Sequence, residues 1–161
     1  MTTKSDYTEE EWNGLMTAPI MAGTYIIAAD VSMTAMGKEM KGMLQAIQKQ
    51  DVPDASKELV AAIVADIVAK SSNKEKMEAP EMEKDADGLQ QILDGIVEAT
   101  AVLETKSNPD EAAGYKQWVL DVAQATAEAG KEGGFLGIGA VRVSDKEKAA
   151  LAKLKSTLGL D

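Results

Sequence analysis

The sequence predicts an all-α fold, a single compact bundle of about six helices that spans residues 1–161. Hydrophobic residues make up 45% of the chain but aromatic residues only 4%, and the abundance of Ala, Met, Ile, Leu and Val favours helices over sheets. Apolar residues recur three and four positions apart, and several segments begin at residues that cap helices. A chain of this length suits one domain, with two similar helical hairpins as one arrangement within it.

The first predicted helix runs from about Thr8 toward Asp30, and Thr17 and Pro19 mark a break or restart in it. Its second half is apolar or small nearly all round, which predicts a position at the centre of the bundle. The uncharged stretch 15–29 is interrupted by a proline and is too short for a membrane span. We therefore expect no membrane-spanning segment.

The second predicted helix follows Ser32, a candidate N-cap, and continues to residues 49–50. The third begins near Asp51 or Asp54, either of which could cap it, with Pro53 in its first turn. Its apolar residues recur at helical spacing and form a wide stripe. The stripe consists of Leu59, Val60, Ile63, Val64, Ile67 and Val68.

Residues 71–87 are polar and charged and contain Pro80, so they predict a charged surface loop. The fourth predicted helix follows this loop and carries an apolar stripe in helical register. That stripe consists of Leu89, Ile92, Leu93, Ile96, Val97 and Leu103.

The fifth and sixth helices have clear start signals. Asn108 is placed to cap the fifth helix, with Pro109 at its first position. Ser144 and Glu147 have the S-x-x-E spacing of a capping box at the start of the sixth helix. Gly159 is suited to end that helix.

The absence of two residue types narrows the range of functions. The chain contains no Cys, which removes disulfides, thiolate nucleophiles and thiolate metal sites, and no His, the commonest general base. The net charge of −10 would repel a nucleic acid backbone. The acidic N-terminal stretch has no secretory pattern. We therefore expect a non-enzymatic cytoplasmic protein that binds no nucleic acid.

The segment GGFLGIGAVRVS, residues 133–144, holds four of the chain's 13 glycines. A phosphate-binding P-loop requires Lys after its last Gly, where this chain has Ala140, and a dinucleotide fingerprint requires a preceding strand rather than a helix. We predict a structural crossover in which Phe135, Leu136 and Ile138 pack back onto the core. An interaction loop for a ligand or partner is the alternative.

Four methionines of the second predicted helix, Met33, Met36, Met40 and Met43, are spaced three and four residues apart. On a helix they form one stripe. Thioethers bind Cu(I), and Met-rich surfaces form adaptable grooves, but a stripe at this spacing more often faces the core. We predict a core stripe.

The stretch around Asp85 and Asp87 partly matches a calcium loop, with Asp94 at the twelfth position. It departs from the pattern at the first, eighth and twelfth positions. Acidic residues that solvate the start of the fourth helix are the preferred interpretation. Two further acids within apolar helices, Asp66 and Asp121, are predicted at the edges of their stripes because an unpartnered buried carboxylate is costly.

Two segments put an Ala-rich helix before a turn and an amphipathic helix: YIIAADVSMTAMGKEMKGMLQAI and the region ending in VSDKEKAALAKLKSTLGL. This pattern resembles the tellurite-resistance TerB-like family, which is all-helical, acidic and proposed to bind a divalent metal. The resemblance covers about a third of the chain and implies metal ligands among Asp30, Glu39, Asp145 and Glu147. The Asp-Gly turn of the family lacks its Gly in the first segment and its Asp in the second.

We therefore expect a helical protein resembling TerB-like stress-response proteins, which acts through contacts with a protein partner or through self-association. The expectation includes no cofactor other than a weakly bound divalent metal. The alternative is a bundle that binds a small apolar ligand or lipid between the Met-bearing helix and the central helix.

Overall fold

A computed structural model describes residues 1–31, 35–75, 86–130 and 143–160, without the side chains of residues 86 and 87. In these parts of the chain the fold is all-α, with six packed helices, two 3₁₀ turns and no strand, which confirms the predicted class. The helices are α1 (Glu9–Ala29), α2 (Met36–Lys49), α3 (Lys57–Ser72), α4 (Ala86–Lys106), α5 (Pro109–Ala129) and α6 (Asp145–Thr157).

Helix α1 is the central element and contacts all five other helices. It begins where the sequence indicated: the Glu11 backbone N–H donates to Thr8 Oγ1 at 3.2 Å, and the Thr8 N–H donates to Glu11 Oε2 at 2.7 Å. This reciprocal pair satisfies two backbone donors at the helix start. The predicted central position of the apolar second half is confirmed, since Ala22 and Ile26 are fully buried.

The predicted break at Thr17 and Pro19 is wrong, because α1 continues through both residues. A proline inside a helix removes the N–H that would bond the carbonyl four residues earlier, here that of Leu15. The hydroxyl of Tyr115 on α5 donates to this carbonyl at 2.6 Å in the buried interior. Helix α5 thus supplies the hydrogen bond that Pro19 cannot make, and α1 remains unbroken.

The core lies between α1, α3, α4 and α5. On α5 the rings of Tyr115 and Trp118 pack edge to face with centroids 5.7 Å apart, and both are almost fully buried. The predicted apolar stripes of α3 and α4 face this core, except that Val68 and Val97 are each 43% exposed. These two residues lie at the edges of their stripes.

The start of α3 differs from the prediction. A 3₁₀ turn, Asp54–Ser56, precedes the helix, and neither Asp51 nor Asp54 caps it. Ser56 is fully buried and its hydroxyl donates to the Pro53 carbonyl at 3.2 Å. A Cβ built on Gly114 of α5 would lie 2.9 Å from the Ser56 Cβ. The turn therefore packs on α5 at a position that only glycine allows.

Helix α6 carries the predicted capping box, in which the Glu147 N–H donates to Ser144 Oγ at 3.2 Å and the Ser144 N–H donates to Glu147 Oε2 at 2.7 Å. It ends as predicted near Gly159, whose φ of +69° is one that glycine adopts without strain. Asn108 caps α5 as predicted, since its side chain accepts the Glu111 backbone N–H at 2.9 Å. Among the helices in the described ranges, none has both the length and the apolar character needed to cross a bilayer.

Candidate protein-docking surface on α2

Helix α2 presents a line of large apolar side chains to solvent. Met36 is 38% exposed, Met40 is 49% exposed and Leu44 is 48% exposed. Residues four apart lie nearly above one another on a helix, so the three side chains form one stripe roughly 12 Å long. We call these three residues the α2 stripe.

The rest of α2 is held firmly against α1 and α5. A Cβ on Gly42 would overlap the Ala129 side chain, and one on Gly23 of α1 would overlap the Met43 thioether. Two glycines thus allow the three helices to approach closely. Ile47, 2% exposed, completes the buried side of the helix. The α2 stripe therefore lies on a helix whose orientation is fixed by close contacts.

The predicted core position of the methionines is wrong for two of them. Met43 is buried, at 5% exposed, as expected. Met36 and Met40 lie in the exposed stripe instead, because the close contacts at Gly23 and Gly42 turn the Met43 side of the helix inward. Met33 lies outside the described residues.

The exposed surface of α2 is basic, although the whole chain has a net charge of −10. Lys38, Lys41 and Lys49 are exposed, and Lys49 Nζ lies 3.2 Å from a carboxylate oxygen of Asp51. The one acidic residue of α2 is Glu39, which is 3% exposed and packs against Gly130 at the end of α5. Of the three lysines, Lys41 lies next to the α2 stripe, three positions before Leu44.

Three of the four residues that the TerB-like resemblance implied as metal ligands lie at the end of α1 or in the first turn of α6. Asp30 is the C-cap residue of α1 and lies 3.6 Å from Lys146 Nζ, and the N-cap position of α2 is occupied by Ala35. Asp145 is exposed and accepts a hydrogen bond from Lys148 at 3.0 Å, while Glu147 is buried in the α6 capping box.

The fourth residue, Glu39, lies on the α5 side of α2. Within the described ranges, no group of three or more acidic residues is arranged to hold a metal ion. Lysines rather than further carboxylates lie against Asp30 and Asp145. Metal binding by these four residues stays a prediction.

Most of the predicted calcium-like loop and interaction loop falls outside the described residues. This is the case for Asp85 and for Phe135, Leu136 and Ile138, and the side chain of Asp87 is likewise not described. Asp94 is exposed on α4, where it accepts a hydrogen bond from Gln90 Nε2 at 2.8 Å. In the predicted surface loop 71–87, α3 ends at Ser72, α4 begins at Ala86 and residues 73–75 are exposed.

Asp66 and Asp121 lie at the edges of the apolar stripes of α3 and α5, as predicted. Asp121 is exposed. Asp66 accepts hydrogen bonds from Lys4 Nζ at 2.6 Å and from the Trp12 indole N–H at 2.9 Å. The hydrogen bond from Lys4, followed by that from Trp12, lowers the pKa of Asp66 below its ordinary value against the opposing effect of burial. These contacts join the N-terminal 3₁₀ turn (Lys4–Asp6), α1 and α3.

A second surface feature, an open groove of about 1050 Å³, runs between α1 and α4. Glu9, Glu10 and Glu98 line it with exposed carboxylates, and Met21 and Ala99 contribute apolar surface. The groove is lined by acidic residues, whereas the exposed surface of α2 is basic.

No protein-family model, curated protein or solved structure matches this chain. The TerB-like resemblance therefore stays a prediction.

Sequence reasoning missed the α2 stripe because it treated the methionines as one core face. The signal was present in the spacing: Met36, Met40 and Leu44 form one apolar line, and Met43 and Ile47 form a second line beside it. Together the two lines are wider than the face that one neighbouring helix covers.

Proposed function

We propose that this protein is a non-enzymatic interaction protein that binds an acidic amphipathic helix of a protein partner through the α2 stripe. The observation that supports this most directly is the exposure of Met36, Met40 and Leu44 in one line on a rigidly held helix. Single exposed apolar residues are normal on protein surfaces, but contiguous ones indicate contact sites.

The spacing of the stripe suits a helical partner. Recognition of an amphipathic helix uses apolar anchors about one turn apart, and the three exposed side chains have this spacing along α2. Two of the three are methionines, whose flexible thioether side chains adapt to different partner surfaces. Burial of these side chains would provide the apolar part of the binding free energy.

The charges favour an acidic partner over a second copy of this chain. Lys41 lies three positions before Leu44, beside the α2 stripe, and α2 exposes no acid. Two copies that met through the α2 stripe would bring their Lys41 side chains close together, and such a like-charge contact costs free energy. A partner helix with Glu or Asp beside its apolar face would pair with Lys41 instead.

Two synthetic peptides test this proposal by fluorescence polarisation. Both carry Leu at helical spacing, and one has Glu and the other Lys at the flanking positions. We expect the Glu peptide to bind more tightly, and we expect Met40→Asp to weaken its binding roughly tenfold or more because buried apolar contacts are lost. Light scattering on the same samples reports self-association.

Val68→Asp is the matched control, since Val68 is 43% exposed on α3, away from α2. It should leave the affinity for the Glu peptide unchanged. Equal binding of the two peptides, or equal losses from Met40→Asp and Val68→Asp, would contradict the proposal. Dimerisation that Met40→Asp abolishes would assign the stripe to self-association instead.

The other parts of the sequence-based expectation stay predictions: a TerB-like role in stress response, a cytoplasmic location and weak binding of a divalent metal. The alternative of an apolar ligand pocket between α1 and α2 finds less support. At this contact the Met43 side chain lies directly on Gly23, and Thr126 Oγ1 would lie 3.1 Å from a Cβ placed there. The two helices leave no room for a ligand at that point.

A further inference from the structure

The methionines of helix α2 differ in how far solvent reaches their side chains. Met36 is 38% exposed and Met40 is 49% exposed, whereas Met43 is 5% exposed. The sulfur of Met43 lies directly against Gly23 of α1, where a Cβ on that glycine would overlap it. One helix therefore carries two thioethers that a small solute in water can reach and a third that α1 covers.

The exposed thioethers have a chemistry that the other residue of the α2 stripe lacks. Hydrogen peroxide converts a methionine thioether to methionine sulfoxide, which replaces a flexible apolar side chain by a polar, chiral one. Methionine sulfoxide reductases reverse this change. Leu44 has no sulfur, so peroxide can alter two of the three side chains of the stripe.

The oxidation transfers one oxygen atom to the sulfur. A lone pair of the sulfur attacks one oxygen of the peroxide, a sulfur–oxygen bond forms and the oxygen–oxygen bond breaks. The second oxygen leaves as hydroxide and takes up the proton that the transferred oxygen loses, so one water molecule is released. The sulfur is oxidised by two electrons and the peroxide is reduced by two. The product carries a polar oxygen, which loses its hydrogen bonds to water when a partner covers it.

We propose that Met36 and Met40 form a modification site, at which reversible oxidation by hydrogen peroxide weakens binding of the acidic partner helix. This inference rests on the proposed function of the α2 stripe. Two of its three apolar anchors become polar, and burial of a polar group without a partner costs free energy. The fold is retained, because both side chains are exposed and the close contacts at Gly23 and Gly42 stay intact. Oxidation therefore acts on binding rather than on folding.

The first test measures where peroxide reacts. The folded protein is treated with hydrogen peroxide, the reaction is stopped with catalase, and tryptic peptides are analysed by tandem mass spectrometry. Cleavage after Lys41 places Met40 and Met43 in separate peptides. We expect Met36 and Met40 to be oxidised roughly tenfold or more faster than Met43, because the sulfur of Met43 is reached only when α2 separates from α1. Equal rates in the folded protein would overturn the proposal.

The second test measures binding of the Glu peptide before and after oxidation of the protein. We expect oxidation to weaken binding roughly fivefold or more, while the melting temperature changes by less than about 2 °C. Treatment with methionine sulfoxide reductases should restore the affinity. Absence of binding before oxidation would contradict the proposed function and this inference with it. Binding that oxidation leaves unchanged would overturn this inference alone.

Two variants with the same exchange separate the α2 stripe from the other methionines. The double variant Met36→Leu, Met40→Leu keeps the stripe apolar but removes its two sulfur atoms, so its affinity for the Glu peptide should be the same before and after oxidation. Met43→Leu is the matched control at a buried position of the same helix, where Met and Leu exchange at small cost. Its binding should stay sensitive to peroxide. Sensitivity of the double variant, or insensitivity of Met43→Leu, would overturn the proposal.

Discussion

Helices α1 and α2 are both rich in apolar residues, but they use them differently. Helix α1 is apolar nearly all round and contacts five helices, so residues on several of its sides, such as Leu15, Met16 and Ala18, are almost fully buried. Helix α2 packs mainly against α5 and α1. Its apolar surface is wider than these contacts, and the excess is the α2 stripe. The comparison shows that the number of neighbouring helices, rather than apolar content, decides which side chains are buried.

The same side-chain deletion on the two helices gives the sharpest test of this comparison. Leu15→Ala on α1 should lower the free energy of unfolding by about 2–5 kcal/mol, because a fully buried side chain leaves a cavity. Leu44→Ala on α2 should change it by less than about 0.5 kcal/mol, since Leu44 is already half exposed. Urea denaturation measures both values. Comparable losses would show that the α2 stripe is covered in the folded protein.

The hydrogen bond between Tyr115 and Leu15 allows a second test. Tyr115→Phe leaves the buried Leu15 carbonyl without its donor and should cost about 1–3 kcal/mol of unfolding free energy. Pro19→Ala restores a backbone N–H that can donate to the same carbonyl. Tyr115→Phe should therefore cost less in the Pro19→Ala background than in the wild type. A double-mutant cycle measures this coupling, and strictly additive effects would contradict the proposed substitution of one donor for another.

A smaller effect on stability is expected at the polar contact between α1 and α3, where Asp66 of α3 accepts hydrogen bonds from Lys4 and Trp12. The pKa of Asp66 is lower in the folded protein than in the unfolded chain. Its contribution to stability is therefore present above the unfolded pKa of about 4 and is lost as the pH falls through the folded pKa. Asp66→Asn should cost about 1 kcal/mol at pH 7, since the site is partly solvated.

Denaturation between pH 7 and pH 2 measures this effect. The loss caused by Asp66→Asn should shrink toward zero at low pH. Lys106 and Lys116 lower the pKa values of Glu11 and Glu104 in the same direction, so the variant should retain part of the acid sensitivity. A loss of equal size at both ends of the pH range would show that the charge of Asp66 is not what stabilises the contact. Asp121→Asn, at an exposed site, is the control.

Local sequence signals predicted much of the fold. The capping box at Ser144, the Asn108 cap with Pro109, and the stop at Gly159 occur in the structure as expected. Each of these signals depends on residues within a few positions of one another, so the sequence alone contains the required information. The apolar stripes of α3 and α4 were predicted for the same reason.

The errors have a common cause in contacts between distant segments. Pro19 indicated a break in α1 because the compensating hydroxyl comes from another helix. Met36 and Met40 were assigned to the core because spacing shows that residues share a face but not which face is covered. The burial of Glu111 beside Thr2 depends likewise on how the N-terminal segment meets α5. Periodicity in one sequence contains no signal for such pairings.

The bond from Tyr115 to Leu15 also bears on the order in which the chain can fold. Helix α1 precedes α5 in the chain, and its Leu15 carbonyl receives its donor from a residue 100 positions later. Before α5 docks, this turn of α1 has one hydrogen bond fewer and an exposed carbonyl beside Pro19. Such a non-local contact slows folding, because a long loop must close before the contact forms. Helix α1 thus receives this hydrogen bond only after α5, 100 residues further along the chain, has been made and has docked.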